Sequence, residues 1–402
     1  MKMKRYPVIN LLIRAFAAAF AGMAIIASTI NFGGHSEAAK AETVVPPVVP
    51  PAVTVVASGL NNPRGLNFGP DGALYVAEAG TGGAGPCGAG PEGERCYGES
   101  GSVTRIDPQT WTASRISSGL PSLATPDGSF ATGIHDISFQ GLGNIFLTIG
   151  FAGDPADRTL LFGPAGTNFA RMARLDPRGN FRLYQDLGGY EASVNPTGDE
   201  ADSNPYGILA IAGKTVYADA GGNSLNEVAA KGSIRTLATF PNRPGAMPSG
   251  FEFIPDLPPP GTLVEMDAVP TSVAIGPDGN YYVGQLTGFP FPVDDANVYR
   301  VPADGGTAEV FAGGFTSVID VAFGPDGSMY VLELARNGLF AGFILGDWTG
   351  ALIRIASNGT RTEIAPGTLT APGGVAVGPD GALYVTNNSI FSGTGQVVRI
   401  EP

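Results

Sequence analysis

Short apolar runs occur in pairs along most of this sequence, and a tight polar turn separates the two runs of each pair. Proline presets the first corner of the turn GPDG, aspartate caps it and the last glycine accepts a positive φ. Two degenerate copies turn at 141–144 and 213–214. The intact turn lies between runs such as GLNF and ALYV and begins at Gly69, Gly276, Gly324 and Gly378. The pattern therefore predicts six β-hairpins.

A second pair of short strands follows each hairpin but the last, as in SVTRIDPQTWTASRI, NEVAAKGSIRTLA and LIRIASNGTRTEIA. Four strands in each unit, with no helical periodicity between the units, are typical of a propeller. The sequence therefore predicts an all-β fold, a six-bladed β-propeller of the NHL/TolB-like type, over residues 53–402.

The two ends of the repeat region complement each other. The sixth unit stops at QVVRIEP, which is its third strand, while the segment 53–58, VTVVAS, is an extra strand at the start. Pairing of 53–58 with the last unit would complete the sixth blade and leave the sheet without a free edge. We therefore expect an N-terminal strand to close the ring.

Loop lengths orient the predicted ring. The turns between first and second strands and between third and fourth strands are short, so one face is plain. The other connections open on the opposite face, and the long ones cover 79–101, 151–170, 188–204, 241–268, 287–297 and 336–350. A scaffold with one elaborated face uses that face for function. We call it the long-loop face.

Composition and charge restrict the partners. Gly 59 and Pro 34 fit a turn-rich β protein, and 43% hydrophobic residues are enough for a core. The formal net charge of −13 opposes nucleic acid and anionic lipid, and favours cations, basic partners or neutral ligands.

The N-terminus has the pattern of an export signal. Lys2, Lys4 and Arg5 precede an apolar stretch at 15–30, and cleavage is expected after Ala41. The predicted organisation is a signal peptide at 1–41, a Pro-rich linker at 42–52 and the propeller at 53–402. The alternative is an uncleaved signal anchor. Either way, we expect the protein to be secreted or to lie in the periplasm or cell envelope.

Cys87 and Cys96 are the two cysteines of the chain and lie in CGAGPEGERC. At this spacing in an exported chain, they are expected to form a disulfide that closes a Gly-rich loop. A two-cysteine metal site is the alternative, and the loop offers only Glu92 and Glu94 as further ligands.

Several longer strings resemble one known family. They include NNPRGLNFGPDGALYVAEAG, SNPYGILAI, YADAGGNSL, YVGQLTGFPFPV, GFTSVIDVAFGPDGSMYVLELA and PGGVAVGPDGALYVTNN. Together they resemble the ScyD/ScyE family, NHL-like propeller proteins named after scytonemin pigment gene clusters, across essentially all of residues 53–402. The resemblance implies an exported propeller that acts as a scaffold or accessory component.

Polar residues are expected around the channel mouth on the long-loop face, where second strands end and first strands begin. The first group is Glu78, Asp219, Asn223, Gln285, Glu333 and Asn387, and the second is His135, Asp136, Asn204 and Asp320. Oxygen ligands that converge on an axis suit Ca²⁺. By analogy with six-bladed calcium-dependent lactonases, the predicted ligands are Glu78, Asn204, Asp219 and Glu333. The alternative is that these groups bond to one another and to channel water.

Two further candidates are weaker. In TGDEADSNPYG, oxygen donors stand at Glu200, Asp202 and Asn204 beside Asp199, as at the start of a calcium loop. Pro replaces the glycine expected next, so an ordinary solvated loop is the alternative. His135 would be the only histidine after removal of 1–41 and is the candidate general base, with a structural histidine as the favoured interpretation.

Aromatic residues in the long loops offer a different kind of site. They either form an apolar rim for a ligand or pack beneath the loops, and they are Phe289, Phe291, Phe340, Phe343 and Trp348. The predicted ligand-binding residues are Asn223, Gln285, Asn387, Phe289 and Phe291.

The leading functional hypothesis is an exported, non-catalytic propeller scaffold. It would act as a monomer and bind a protein or small ligand on the long-loop face. The candidate cofactor is Ca²⁺. The alternative is a calcium-dependent, lactonase-like hydrolase. The sequence contains no HExxH, GxSxG or CxxC motif and no phosphate-binding loop.

Overall fold

The computed structural model describes residues 51–91, 93–176 and 178–401. The predicted signal peptide and nearly all of the predicted linker lie outside these residues. Among the residues that are described, no helix is long and apolar enough to cross a membrane.

The described residues form 27 strands. In chain order they are β1 (Val53–Leu60), β2 (Pro63–Phe68), β3 (Leu74–Glu78), β4 (Cys87–Gly90), β5 (Gly93–Ile106), β6 (Ala113–Ala124), β7 (Ile134–Gln140), β8 (Asn144–Ile149), β9 (Arg171–Leu175), β10 (Phe181–Asp186), β11 (Pro205–Ile211), β12 (Lys214–Asp219), β13 (Ser224–Ala229), β14 (Ile234–Thr239), β15 (Arg243–Ala246), β16 (Leu263–Met266), β17 (Ala274–Ile275), β18 (Tyr281–Gly284), β19 (Ala296–Val301), β20 (Glu309–Phe315), β21 (Val318–Phe323), β22 (Met329–Glu333), β23 (Ala351–Ile355), β24 (Arg361–Ile364), β25 (Gly374–Val377), β26 (Leu383–Asn387) and β27 (Gly395–Ile400).

These strands build a six-bladed β-propeller, as predicted. Blade 1 contains β2, β3, β5 and β6, with β4 paired to β5, and blades 2 and 3 contain β7 to β10 and β11 to β14. Blade 4 contains β17 to β20 and blade 5 contains β21 to β24. Blade 6 contains β25, β26, β27 and β1. Inner strands of adjacent blades contact each other, since β2 touches β7 and β25, β7 touches β11, and β21 touches β25.

The N-terminal strand closes the ring, which confirms the prediction for 53–58. β1 pairs antiparallel with β27, with Val55 opposite Val398. Val56 and Leu60 of β1 are buried in the same apolar cluster as Val397. The last blade is therefore completed by the first strand of the chain.

The GPDG turns are fixed by a repeated set of contacts. Asp71 accepts hydrogen bonds from the Ala73 amide at 3.2 Å and the Tyr75 hydroxyl at 3.1 Å, and pairs with Arg105 of the third strand at 2.9 Å. Gly72 has φ 76°. The corresponding Asp–Arg pairs are Asp278–Arg300, Asp326–Arg354 and Asp380–Arg399. The repeated turn is therefore a structural element of the blades.

The long loops contain regular structure that the sequence pattern did not predict. The part of the chain that the structure describes contains two α-helices, α1 (Arg158–Phe162) and α2 (Leu187–Val194). It also contains 3₁₀ turns at Pro155–Asp157 and Gly163–Asn168 and a π-helical turn at Ala341–Leu345. β15 and β16 form an extra hairpin between blades 3 and 4. In blade 1, β5 begins at Gly93, well before the expected start at Ser102. Pairing with β4 and β6 extends this strand into the loop.

Candidate functional site

The polar residues predicted at the ends of second strands are buried within their own blades. Glu78, Asp219, Glu333 and Asn387 are the last residues of β3, β12, β22 and β26. Each one has its side chain buried. These residues therefore lie at the long-loop ends of their strands, as expected. Their side chains, however, point into the protein interior.

These four side chains make the same contact. Each accepts a hydrogen bond from a backbone amide 15 to 17 residues earlier, in the segment that leads into the first strand of the blade. The donors are Asn61 for Glu78 at 2.7 Å, Asn204 for Asp219 at 2.7 Å, Thr316 for Glu333 at 2.8 Å and Thr370 for Asn387 at 2.7 Å. We call these contacts the loop latches, because each holds a crossing segment against its blade.

The structure does not bring the predicted calcium ligands together. Among the described residues, the group of three acidic, histidine or cysteine side chains with ligand atoms within 4.8 Å of one another is Cys87, Glu94 and Cys96. Glu78, Asp219 and Glu333 therefore do not meet at one axial point. The physical reason is the latches, which direct these carboxylates to amides of their own blades. Asn204 is nevertheless adjacent to Asp219, through its backbone amide.

Glu78 and Asp219 are also saturated by other donors. Glu78 accepts from the hydroxyl of Ser102 at 3.0 Å and pairs with Arg115 at 3.0 Å. Asp219 accepts from the Ser203 hydroxyl at 2.8 Å and from the amides of Gly221 and Gly222. Carboxylates with so many donors have few lone pairs left for a ligand.

The predicted ligand-binding amides are buried as well. Asn223 accepts from the Val269 amide at 2.8 Å, and Gln285 accepts from the Asn297 amide at 3.1 Å. Asn387 forms a loop latch. All three of these side chains are buried, so they stabilise loops and do not face a ligand at the surface.

His135 has the environment of a structural histidine, the interpretation favoured from the sequence. It is buried, its Nδ1 lies 3.1 Å from the Pro205 carbonyl oxygen and therefore donates, and its ring packs 4.4 Å from that of Tyr206. Burial and the Arg64 charge lower the pKa of His135 to about 3. The ring is therefore neutral at neutral pH.

Asp136 and Asp320 occupy equivalent positions on the inner strands of blades 2 and 5, which are opposite each other in the ring. Each accepts a bond from the next blade, Asp136 from the Ile208 amide at 2.8 Å and Asp320 from the Val375 amide at 2.8 Å. Burial raises the pKa of Asp320 to about 7, and burial together with the Asp320 charge raises that of Asp136. A Cβ on Gly65 would lie 2.0 Å from Asp136 Oδ1, so the centre of the ring needs glycine there.

The loop aromatics pack against one another beneath the long-loop face. Phe343 lies 5.0 Å from Trp348 and 5.7 Å from Phe130, a residue that the sequence analysis missed. Phe340 lies 5.9 Å from Phe291 and 6.1 Å from Phe289. Phe340 and Trp348 are buried and the others are half-buried. Packing beneath the loops, one of the two alternatives, is the arrangement observed.

The predicted disulfide is present, which confirms the pairing of Cys87 and Cys96. The disulfide joins β4 to β5 in a hairpin. Arg95, which directly precedes Cys96 in β5, is buried. Arg95 donates to the carbonyl oxygens of Phe151 at 2.9 Å and Ala152 at 3.2 Å. The hairpin is thereby fixed to the long loop of blade 2, a contact that sequence spacing did not indicate.

The acidic loop before blade 3 is only partly solvated. Asp199 and Glu200 are exposed, and Asp202 is half-buried. Asn204 lies at the end of this loop and accepts from the Phe151 amide at 3.1 Å. The alternating donors of this loop therefore face different surroundings.

Comparisons with known proteins extend only to fold. No protein-family model matches the sequence, and no match was found among curated proteins. Among solved structures, a gluconolactonase from Xanthomonas campestris is 9% identical with a TM-score of 0.51, covering 87% of this chain and 90% of its own. Virginiamycin B lyase from Staphylococcus aureus is 13% identical with a TM-score of 0.47, covering 88% of this chain and 99% of its own. Regucalcin from Agrobacterium tumefaciens is 14% identical with a TM-score of 0.47, covering 87% and 95%.

The resemblance to the ScyD/ScyE family is tested by none of these comparisons and stays a prediction. At such low identities, the likeness to the gluconolactonase supports the fold and carries no activity to this chain. The chain is a six-bladed β-propeller with an elaborated long-loop face.

Proposed function

We propose that this protein is an exported, non-catalytic β-propeller scaffold that binds a partner protein on its long-loop face. The observation that carries the proposal is a set of exposed apolar and acidic side chains in the long loops that follow blade 3 and belong to blades 4 and 5. Its apolar members are Phe253, Leu263, Val293 and Leu345, and its acidic members are Glu252, Asp256, Glu265 and Asp294. We call this set the apolar–acidic patch.

The apolar members of the patch have packed neighbours along the chain. These neighbours are Ile254, which is buried in one apolar cluster, and Val264, Phe291 and Ile344, which are partly buried and pack against that cluster. Phe253 is 65% exposed and Leu345 is 64% exposed, although both are large apolar side chains. Such residues on packed supports mark interaction surfaces in soluble proteins.

Charge indicates the chemistry of the partner. Exposed carboxylates beside the apolar residues favour a partner that offers apolar side chains bordered by lysine or arginine. The net charge of −13 adds a long-range attraction for such a partner. The scaffold role is also what the resemblance to the ScyD/ScyE family implies.

The bonding of the predicted ligands and of His135 supports a non-catalytic role. Glu78, Asp219 and Glu333 are engaged in loop latches, and His135 is neutral and buried. A hydrolase would need a base or a metal ligand with free lone pairs that faces a substrate.

Site-specific photo-crosslinking tests the proposal. A photoreactive residue at Leu345 should capture a partner from the extracellular fraction of the source cells, and the yield should fall at high salt. The matched control is Leu142, which is 93% exposed in the turn between β7 and β8 on the plain face. Equal capture from both positions would contradict the proposal.

A substitution and an activity assay complete the test. With the photoreactive residue kept at Leu345, Phe253→Asp combined with Leu263→Asp should abolish capture while leaving the melting temperature unchanged. In parallel, lactone hydrolysis is measured with calcium and with a chelator. Turnover that needs calcium and survives the double substitution would favour the lactonase-like alternative instead.

A further inference from the structure

Buried polar groups of α2, of the loop before blade 3 and of β12 lie close together between blades 2 and 3, and we call the region that they border the hollow. Tyr217 and Asp219 stand at alternate positions of β12, so both side chains lie on the same face of the strand. Leu187 and Glu191 are four residues apart on α2 and therefore share a face of that helix. Leu187 packs in the same buried cluster as Tyr217, which places this face of α2 over the blade.

Two buried polar groups in the hollow have no hydrogen-bond partner among the described residues. Glu191 is 2% exposed and its Oε1 has no partner. Tyr217 is 0% exposed and its hydroxyl has none either. Burying a carboxyl group and a hydroxyl without hydrogen-bond partners costs free energy. A bound ion or water that contacts both groups would offset this cost.

Oxygen atoms from a third element complete the hollow. A Cβ on Gly222 would lie 2.7 Å from Glu191 Oε2 and 3.3 Å from the Asp202 carbonyl oxygen, so both oxygens border the same space. A Cβ on Gly221 would lie 2.5 Å from Asp202 Oδ1. The two adjacent glycines therefore allow Glu191 and Asp202 to approach each other from separate elements.

The electrostatic environment is negative. Burial, together with the charges of Asp219 and Asp202, raises the pKa of Glu191 to about 8. Asp219 supplies charge but few lone pairs, because four donors already bind it. A cation in the hollow would offset this repulsion.

We propose that this hollow binds Ca²⁺ through the Glu191 carboxylate, the oxygens of Asp202 and the Tyr217 hydroxyl. Calcium accepts six to eight hard oxygen ligands, including carbonyls and waters, in flexible geometry. The charge of Asp219 stabilises the ion from behind the ligands. The site connects α2 and Asp202, which both lie in the connection between blades 2 and 3, to β12 of blade 3, so bound calcium would hold that connection against blade 3. It is separate from the apolar–acidic patch and does not depend on it.

Terbium luminescence tests the site directly, because Tb³⁺ replaces Ca²⁺ and is excited through a nearby tyrosine. In the purified protein, stripped of metal with a chelator, added terbium should give saturable emission that calcium displaces. Tyr217→Phe should remove most of the emission. Glu191→Gln should weaken calcium binding by at least about 10–100-fold, which is the loss typical when even an outer-shell partner of a metal ligand is removed.

Matched variants separate this site from others. Glu200→Gln removes an exposed carboxylate of the same loop, and Glu333→Gln removes a member of the originally predicted axial set. Both should bind calcium as the unmodified protein does, and denaturation midpoints check that every variant is folded. The proposal is overturned if calcium does not displace terbium, or if Glu191→Gln and Glu200→Gln bind equally well. Loss of binding in Glu333→Gln alone would place the ion at the axis instead.

Discussion

Glu333 offers a sharp test of the loop latches, because one carboxylate oxygen accepts a single amide bond in a buried setting. The side chain belongs to a residue that is 5% exposed, and Oε1 accepts from the Thr316 amide at 2.8 Å. Burial raises the pKa of Glu333 from 4.5 to about 7, against the smaller opposing effects of the Thr316 bond and Arg336. The folded protein therefore prefers the protonated form.

The sign of the pH dependence follows from this shift. Since the pKa is higher in the folded state than in the unfolded state, the stabilisation is complete below pH 4.5 and is lost as the pH rises through about 7. One pKa unit corresponds to about 1.4 kcal/mol, so the full loss is about 3 kcal/mol. Glu333→Gln keeps an oxygen acceptor for Thr316 but cannot ionise. It should therefore be more stable than the unmodified protein at pH 8, and this difference should shrink towards pH 5.

Urea denaturation at intervals between about pH 5 and pH 8 measures the effect as the difference in unfolding free energy. Taking the difference cancels the contributions of the other buried acids. Glu333→Ala is the comparison that removes the acceptor. Relative to Glu333→Gln, it should cost about 1–3 kcal/mol at every pH, because the amide is left without a partner and neither variant can ionise at this position. Parallel curves for the unmodified protein and Glu333→Gln would refute the reasoning.

Three further outcomes follow from the same structure. Asn387→Ala should lower the unfolding free energy by about 1–3 kcal/mol, because its loop latch is lost. The control Asn337→Ala removes an exposed side chain and should change the unfolding free energy by less than about 0.5 kcal/mol. Equal effects of the two substitutions would contradict the latch. Replacing Cys87 and Cys96 with serine should cost about 2–3 kcal/mol in denaturation, given the sequence separation of 9, and an unchanged midpoint would show that the hairpin contacts suffice. The ring protons of His135 should show no titration by NMR between about pH 5 and pH 8, because its pKa is lowered to about 3, and a midpoint in that range would exclude the neutral buried state.

The candidate site could be predicted from the sequence only in part. Strand register correctly placed Glu78, Glu333 and Asn387 at the long-loop ends of second strands. Their role was missed, because the amides that they bind lie 17 residues earlier in loops of irregular path. Asn204 was expected to join them as a ligand, but Asp219 is the one predicted ligand that it contacts among the described residues. A polar residue at the end of a strand looks the same in the sequence whether its side chain binds a ligand or a loop amide.

The apolar–acidic patch and the hollow beneath α2 were beyond the sequence pattern altogether. The hollow joins Glu191 of a short helix to Tyr217 of a strand, and nothing in the local sequence relates the two. The helix itself was unexpected, since eight residues with three glycine or valine positions give little helical periodicity. The sequence did not indicate that Phe253 and Leu345 are exposed, because their exposure depends on how the long loops pack.

The sequence by itself determined the fold of this protein. Hairpins need only a short apolar period and a turn such as GPDG, so each blade is encoded locally, and the count of units with the extra strand at 53–58 determined the closed ring. The disulfide was equally local, because its cysteines are 9 residues apart. Tertiary structure decided which polar groups are satisfied and which are not. The bond from Ile208 to Asp136 spans 72 residues, and such long-range partners depend on how neighbouring blades and loops pack.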